Sequence, residues 1–350
     1  DFLQRNLQRR RKRQVLVGLG AAAEITLAVI TVAAQVSERH EREKAEQLAT
    51  LIVDLGERLK SDADLETLAL ISGEATRHLQ NLDPDKLLPE TGKKVALAFR
   101  QLGWVSQFQS KPEEALASFK RSRDLLSHLY DKYPDDAGLL FELGNAEYYI
   151  GNLHVAQGHH DAALESMETY HRLTHALAEK NPDNPDWILE LSYSHNNLAA
   201  IHLGSGKGVD KKTLSNVAEA IRMMEIVVAM KPDDQAIAIN YATTLAWAAD
   251  AQLQACNLEE AMKLRHRVME LSEFSTTTDP GDNEIRKQYA YALTGLARVQ
   301  TLTGNVAAAV ENLELAVSIL QSLVAADPSN LHYREEALYR RTMLARRLGE

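Results

Sequence analysis

The sequence has little cysteine, few aromatic residues and few helix breakers. Cys256 is its one cysteine in 350 residues, which excludes an intrachain disulfide and a zinc site built on several cysteines. Phe, Trp and Tyr make up 6% of the chain, whereas 45% of the residues are hydrophobic. With 17 Gly and 9 Pro, the chain has enough apolar material for a core and too few breakers for extended disorder. This composition favours helices over sheets.

Acidic side chains outnumber basic ones outside the first segment. Residues 1–36 carry six basic and two acidic side chains, which leaves 33 basic and 47 acidic side chains in residues 37–350. The resulting net charge of −14 does not suit nucleic acid as a partner. The tract QRRRKRQ is also typical of a nucleic-acid or nuclear-import patch, but the segment after it favours another interpretation.

Residues 15–36 form a run of 22 residues with one charge. As a helix rising about 1.5 Å per residue, this run is long enough to cross a hydrocarbon core of about 30 Å. The basic flank at 1–14 places the N-terminus in the cytoplasm and the rest of the chain outside it. We therefore predict a single-pass helix in the cytoplasmic (inner) membrane. A cleavable signal peptide and a buried helix of a soluble protein are the alternatives.

One carboxylate, Glu24, interrupts this apolar run. A charge at mid-membrane costs about 2.5–3.5 kcal/mol on insertion scales, so it normally faces protein. Gly18 and Ala22 form a small-xxx-small pair that permits close helix approach. These three residues predict a self-association face and a homo-oligomer. The alternative is a weakly hydrophobic anchor that tolerates one protonated Glu.

Prolines recur at a nearly constant interval along the rest of the chain. The spacings are 48, 50, 48 and 48 residues, and one further proline lies 50 residues upstream of the series. A period this regular indicates a repeat architecture. Small and apolar residues obey the same spacing and predict two helices of about 20 residues per repeat, each stacking on its neighbours. The prolines are Pro84, Pro134, Pro182, Pro232, Pro280 and Pro328.

Small residues mark where the two helices of a repeat approach each other. In the second helix an Ala recurs, except in the third repeat, where Thr213 takes its place. Asp, Asn or Ser beside each proline is predicted to cap the helix that follows. The small residues are Gly151, Ala199, Ala249, Ala297 and Ala345 in the first helices and Ala115, Ala163, Ala261 and Ala309 in the second.

The stretch FRQLGWVSQFQSKPEEALASFKRS resembles the tetratricopeptide repeat, with Phe99, Leu102, Gly103, Ala115 and Phe119 in its signature positions. The resemblance implies an all-α, right-handed superhelical solenoid of antiparallel helix pairs. The period departs from the usual ~34 residues, so both helices are lengthened.

The predicted organisation is a basic flank (1–14), a transmembrane helix (15–36), a degenerate helical pair (37–82), five long repeats (83–328) and a capping helix (329–350) with five outward arginines.

A second resemblance covers nearly the whole chain. A basic tract, one membrane helix, the charged segment AEQLATLIVDLGERL and repeats containing NPDNPDWILELSYSHNNLA are similar to the C-terminal region of large bacterial signalling proteins. In those proteins a cytoplasmic effector, such as a kinase, a cyclase or a Toll/interleukin-receptor-like or caspase-like domain, precedes the membrane helix. The resemblance implies an effector domain upstream of residue 1.

No motif in the sequence carries catalytic chemistry. His171 and His175 have the spacing of two metal ligands on a helix, but no HExxH pattern accompanies them. GSGKG at 204–208 lacks the spacing of a phosphate-binding loop, and no GxSxG motif occurs. We read Cys256 as a small residue in a turn, where other repeats have Gly158 and Gly304. The sequence therefore predicts a non-enzymatic chain without metal or cofactor.

Peptide or protein binding is the function that the repeat resemblance implies. Its groove positions lie on the first helices and hold Asn145, Tyr148, Asn152, Tyr193, Asn196 and Asn197. Asn amides can pair with a peptide backbone, and Tyr adds stacking. The family's clamp for a peptide carboxylate also needs three basic residues, but Tyr148, Thr243 and Trp247 occupy those positions. The alternative is that these polar residues only solvate the groove.

Two functions are consistent with this reading. The first is a membrane-anchored scaffold or sensor that binds protein or peptide and signals to a cytoplasmic effector. The second is a membrane-tethered assembly or chaperone factor for envelope proteins, with no signalling role.

Overall fold

The computed structural model describes residues 82–204, 208–328 and 330–349, together with seven isolated positions between 43 and 79. Within these ranges the chain forms eleven α-helices, one short 3-10 turn at Pro84–Lys86 and no β-strand. The predicted basic flank and transmembrane helix lie outside the described residues, as does most of the predicted helical pair at 37–82. Gly18, Ala22 and Glu24 also lie outside them, so the predicted self-association face stays a prediction.

All eleven helices are close to 20 residues long, as the proline spacing predicts. In chain order they are α1 (Pro89–Phe108), α2 (Pro112–Lys132), α3 (Ala137–Ala156), α4 (His160–Lys180), α5 (Pro185–Gly204), α6 (Lys211–Met230), α7 (Gln235–Gln254), α8 (Leu258–Thr278), α9 (Asn283–Leu302), α10 (Val306–Ala326) and α11 (Leu331–Leu348).

Acidic and amide side chains beside the repeat prolines cap the incoming helices. The Asp282 carboxylate accepts hydrogen bonds from the backbone N–H groups of Glu284 (2.7 Å) and Ile285 (3.1 Å) at the start of α9. These bonds satisfy donors that have no partner inside the helix. The prediction of capping by these residues is confirmed, and the five caps are Asp136, Asn184, Asp234, Asp282 and Asn330.

The turn between the two helices of each repeat contains a residue with positive φ. These residues follow the same 48–50-residue spacing as the prolines, and their backbone lies in the left-handed region. Cys256 is one of them, with a φ of 61°. The left-handed residues are Ser110, Gly158, Gly208, Cys256 and Gly304.

The chain divides into two compact units, residues 1–146 and 147–350, with the boundary inside α3. In the first unit, α1 and α2 pack as an antiparallel pair. Gly103 of α1 permits this packing, because a Cβ there would lie 2.5 Å from the ring of the fully buried Phe119. The Ser122 hydroxyl donates a 2.8 Å hydrogen bond to the Ala96 carbonyl across the same interface.

In the second unit, each helix from α4 onward packs against the next one in the chain. Helix α5 also contacts α7, and α7 contacts α9, so the first helices of successive repeats are neighbours along one side of this unit. The described chain is therefore an all-helical, tetratricopeptide-like repeat protein. The predicted right-handed superhelical sense stays a prediction.

Small residues occupy the helix contacts that the sequence assigned to them. Ala163, Ala261 and Ala309 of the second helices are fully buried, and so is Thr213, the exception to the pattern. Thr213 fits because its hydroxyl donates a 2.7 Å hydrogen bond to the Asp210 carboxylate, which also caps α6. The hydrogen bond to Asp210 therefore compensates for a threonine hydroxyl at this buried position, where the other repeats have alanine.

Helix α10 is long and apolar enough, by length and composition, to cross a membrane, and no other described helix is. It packs against α9 and α11, and its residues Leu313 and Leu320 are buried in the helical core. A core helix of a repeat protein passes the same test of length and composition. Helix α10 is accordingly weak support for a membrane span.

Candidate functional site

A cavity of about 360 Å³ lies in the second unit between α7, α8, α9 and α11. One face of α7 and one face of α9 supply most of its walls, because residues three, four and seven positions apart share a side of a helix. We call it the C-terminal cavity. From α7 it is lined by Thr243, Ala246, Trp247 and Asp250, from α9 by Tyr291, Thr294, Gly295 and Arg298, and from α11 by Tyr339, Arg340 and Met343.

Helix α8 adds a buried arginine to the lining of this cavity. Arg265 is only 5% exposed, and its Nη2 donates a 2.6 Å hydrogen bond to the Asp250 carboxylate. The same carboxylate lies 3.5 Å from the exposed Arg298 guanidinium. The Nε of Arg265 is buried without a hydrogen-bond partner. A buried donor without a partner costs free energy, so the site holds an incompletely satisfied cation.

Helix α11 supplies a second buried arginine, Arg340. Its guanidinium stacks 4.7 Å from the centre of the Tyr291 ring and 5.0 Å from that of Tyr339. It also pairs with Glu336 and lies 3.4 Å from the Thr294 hydroxyl. Arg340 therefore does not belong to the polar outer face that the sequence predicted for the arginines of the capping helix. The residue packs inward because two aromatic rings and a carboxylate accept its charge.

Aromatic side chains are exposed at this cavity. Trp247 is 48% exposed and Tyr339 is 58% exposed, although both are large apolar rings. Burial raises the pKa of Tyr291 to about 12, to which the Glu336 carboxylate adds, while Arg340 opposes the rise. The Tyr291 phenol therefore stays protonated at neutral pH and hydrogen-bonds with His332 at 3.2 Å. Exposed rings beside buried cations form a mixed apolar and cationic surface.

The sequence-predicted groove residues lie on α3 and α5, outside the C-terminal cavity. Asn145 belongs to the first unit, and Tyr148 and Asn152 lie on the part of α3 in the second unit, all three half-buried. Tyr148 packs against the Tyr149 and Tyr170 rings at 5.5 and 5.6 Å. That these three residues line a peptide-binding groove remains a prediction.

On α5, Tyr193, Asn196 and Asn197 are half-buried. Burial raises the pKa of Tyr193 to about 12, and Glu190 and Tyr148 add to the rise. The Asn196 amide donates a 3.1 Å hydrogen bond to the Thr244 hydroxyl of α7, while its own Oδ1 is buried without a partner. The predicted patch on α5 is thereby joined to the helix that forms one wall of the C-terminal cavity.

Among the described residues, no group of three or more His, Cys, Asp or Glu could hold a metal ion. His171 instead lies 4.4 Å, ring to ring, from His195 of α5, and its Nδ1 is 2.9 Å from the Ser194 hydroxyl. Burial first, and then the neighbouring histidines, lower the pKa of His171 to about 4. His171 and His195 therefore serve helix packing in the neutral form.

Sequence reasoning missed Arg265 and Gly295 as residues of a site. A signal was available, because the repeat spacing places Arg265 where the other repeats have large apolar residues. These residues are Phe119, Met167, Val217 and Leu313, each fifteen positions before a repeat proline and each buried. A charged residue in that series departs from the pattern.

Two solved structures, with TM-scores of 0.58 and 0.50, share the helical-repeat fold. BtubC (BKLC) from P. vanneervenii is similar with a TM-score of 0.58 at 15% identity, over 75% of this chain and 93% of that chain. The apo form of the quorum sensor NprR from B. thuringiensis is similar with a TM-score of 0.50 at 12% identity, over 85% and 70%. A putative kinesin light chain from Podosopora anserina with TPR-like repeats gives 0.45 at 16% identity, over 68% and 99%. No protein-family model and no curated protein sequence matches the chain.

Proposed function

We propose that this chain is a non-catalytic, helical-repeat scaffold or sensor that binds a protein or peptide segment. The segment would lie along α5, α7 and α9, which are the first helices of successive repeats in the second unit. The observation that carries the proposal is the C-terminal cavity, which joins exposed aromatic rings to converging polar groups. Binding sites for peptides combine apolar anchors with a few fixed polar groups in this way.

The half-buried residues of α5 extend the proposed surface. Tyr193 and Asn196 lie on the first helix of their repeat, and α5, α7 and α9 contact one another in sequence order. The bond from Asn196 to Thr244 fixes α5 against α7 at this point. An extended peptide that follows these helices would meet amide groups on α5 and then the rings and cations of the C-terminal cavity. NprR, a quorum sensor, supports a sensing function on a similar fold.

We further propose that residues 15–36 anchor the scaffold in the cytoplasmic membrane as a homo-oligomer, and that binding acts on a cytoplasmic effector domain. Support for the anchor comes from the 22-residue apolar run and the basic residues before it. Support for the effector comes from the resemblance to bacterial signalling proteins. A ligand that binds differently to two arrangements of the paired chains would shift the balance between them.

Peptide selection against the full chain tests the binding function. A random peptide library is selected on the full chain, and the affinity of the selected peptides is measured by fluorescence anisotropy. We expect Trp247→Ala to weaken binding at least about tenfold, because it removes an exposed aromatic anchor. Phe274→Ala is the matched control, since Phe274 is 68% exposed on α8 and does not line the cavity.

Two outcomes contradict the proposal. One is a selection that yields no peptide above the background of the empty support. The other is a set of peptides whose affinity is the same for the wild type and Trp247→Ala.

A further inference from the structure

Two neighbouring positions of the fourth and fifth repeats break the repeat pattern together. Arg265 replaces the large apolar residue of the second helix, as described above. Gly295 lies fifteen positions after its repeat proline, where the three preceding repeats have a side chain larger than alanine. Those side chains are Tyr149, Asn197 and Trp247.

The two departures fit each other in space. A Cβ at Gly295 would lie 2.5 Å from Nη1 of Arg265, 2.7 Å from its Cζ and 3.0 Å from its Nε. The missing side chain on α9 therefore makes the room that the guanidinium of α8 occupies. Arginine at an apolar core position and glycine opposite it form one arrangement, because either residue alone would leave a clash or a void.

This arrangement is unfavourable for folding alone. A charge in an apolar position costs free energy unless it is fully paired, and well-packed hydrophobic residues at such positions are often as stable or more stable. Arg265 has one carboxylate partner, Asp250, which it shares with Arg298, and its Nε has none. Departures from local rules without a gain in stability are expected at functional sites.

The charge around the cavity identifies the kind of ligand. Arg265, Arg298 and Arg340 line it against a single lining acid, Asp250, and Glu336 pairs with Arg340 from outside the lining. One positive charge therefore remains in excess, although residues 37–350 carry a net charge of −14. Guanidinium groups are planar donors that match carboxylates.

We infer that the C-terminal cavity recognises a carboxylate of the bound peptide, with Arg265, Arg298 and Arg340 as its cationic groups and Gly295 as the residue that positions Arg265. The inference rests on the proposed function and names the chemistry of its ligand: a peptide segment that carries Asp or Glu beside an apolar side chain for Trp247. In the alternative interpretation, the Arg265–Asp250 pair is only structural. Replacing Arg265 then lowers the stability of the fold and does not change how strongly the chain prefers acidic peptides.

Matched peptide pools distinguish the two readings. One C-terminally amidated pool contains Asp and Glu, and the second pool is identical except that Asn and Gln replace them. We expect the full chain to bind the acidic pool at least about tenfold more tightly. Arg265→Leu, which restores the residue type of Leu313, should remove this preference while binding of the neutral pool stays. Arg222→Leu is the control, because Arg222 is exposed on α6, pairs with Glu219 and does not line the cavity.

Gly295→Ala gives an independent variant that keeps every charge. Its new methyl group displaces the Arg265 guanidinium, so the preference for the acidic pool should fall while binding of the neutral pool stays. A third pool, neutral but with a free C-terminal carboxylate, shows whether the carboxylate comes from a side chain or from the chain end.

Two results would overturn the carboxylate inference alone, and a third would overturn the proposed peptide binding as well. Equal binding of the acidic and neutral amidated pools, with no gain from a free C-terminus, overturns the carboxylate inference and leaves the proposed peptide binding intact. A preference that persists in both Arg265→Leu and Gly295→Ala also overturns it. No binding of any pool overturns the proposed function and this inference with it.

Discussion

The turn between the helices of a repeat places one residue in the left-handed region, where a side chain costs about 1 kcal/mol relative to Gly. Cys256 has a φ of 61° there, and its side chain is exposed. Cys256→Gly should therefore raise the free energy of unfolding by about 0.5–1 kcal/mol. Urea denaturation followed by circular dichroism measures the change.

The reverse substitution provides the control for this effect. Gly304 has a φ of 82° in the equivalent turn, and a Cβ there would meet nothing within 4 Å. Gly304→Ala should lower the free energy of unfolding by about 1 kcal/mol, through the backbone alone. Shifts of the same sign in both variants would contradict a conformational origin.

The half-buried His171 makes stability depend on pH. Burial lowers its folded-state pKa to about 4 from 6.5, and burial also lowers the pKa of the adjacent His195. The unfolded chain therefore binds more protons between pH 6.5 and 4, so stability is present above this window and falls as the pH falls through it. Discounted for the partial exposure of the ring, the loss for His171 is about 1 kcal/mol between pH 7 and pH 5.

Urea titrations at pH 7 and pH 5 measure this loss. His171→Gln should flatten the pH dependence, because the group that titrates between the two states is gone. His266→Gln should keep it, since His266 is exposed on α8. An unchanged pH dependence in His171→Gln would assign the loss to other groups.

At the scale of the helix, periodic features were predictable from the sequence and unique features were not. The proline spacing predicted paired helices of about 20 residues, and the structure has them because capping groups and left-handed turn residues recur with the same period. In KNPDNPDW, the Asn184 side chain accepts from the Asp186 and Trp187 N–H groups, and Pro185 is the first residue of α5. Proline has no N–H to leave unsatisfied there.

The C-terminal cavity could not be predicted in the same way. It depends on contacts among four helices, whereas periodicity reports only which positions are equivalent. Arg340 illustrates the limit: its position in an arginine-rich terminal helix predicted an exposed side chain, but Tyr291 of another helix covers it. An arginine at an apolar position of the repeat, such as Arg265, marks a candidate site in the sequence. The sequence does not show which side chains surround that arginine in the fold.

At the scale of the whole molecule, charge is distributed in a way that matters for both proposals. An acidic chain would repel an acidic peptide over distances within the screening length, so recognition of a carboxylate requires a local excess of cations. The C-terminal cavity supplies this excess through arginines that are mostly buried and therefore weakly screened. We infer that the affinity for an acidic peptide comes from direct contacts with the arginines of the cavity. The long-range electrostatic potential of the acidic chain does not contribute to it.

The proposed orientation in the membrane can be tested through the chain's one cysteine. Cys256 is exposed in the turn between α7 and α8, so a maleimide that cannot cross membranes should react with it wherever the repeats face the outside. In spheroplasts that express the full chain, we expect labelling before permeabilisation, detected as a mass shift. Cys256→Gly is the unlabelled control, and the protein should stay in the membrane fraction after alkaline extraction.

The two readouts separate the alternatives because they depend on different properties of the chain. Labelling only after permeabilisation would place the repeats in the cytoplasm and contradict the positive-inside assignment. Labelling of a protein that alkaline extraction releases would indicate that residues 15–36 act as a signal peptide. Retention in the membrane together with labelling before permeabilisation is the one combination that a single-pass anchor with external repeats predicts.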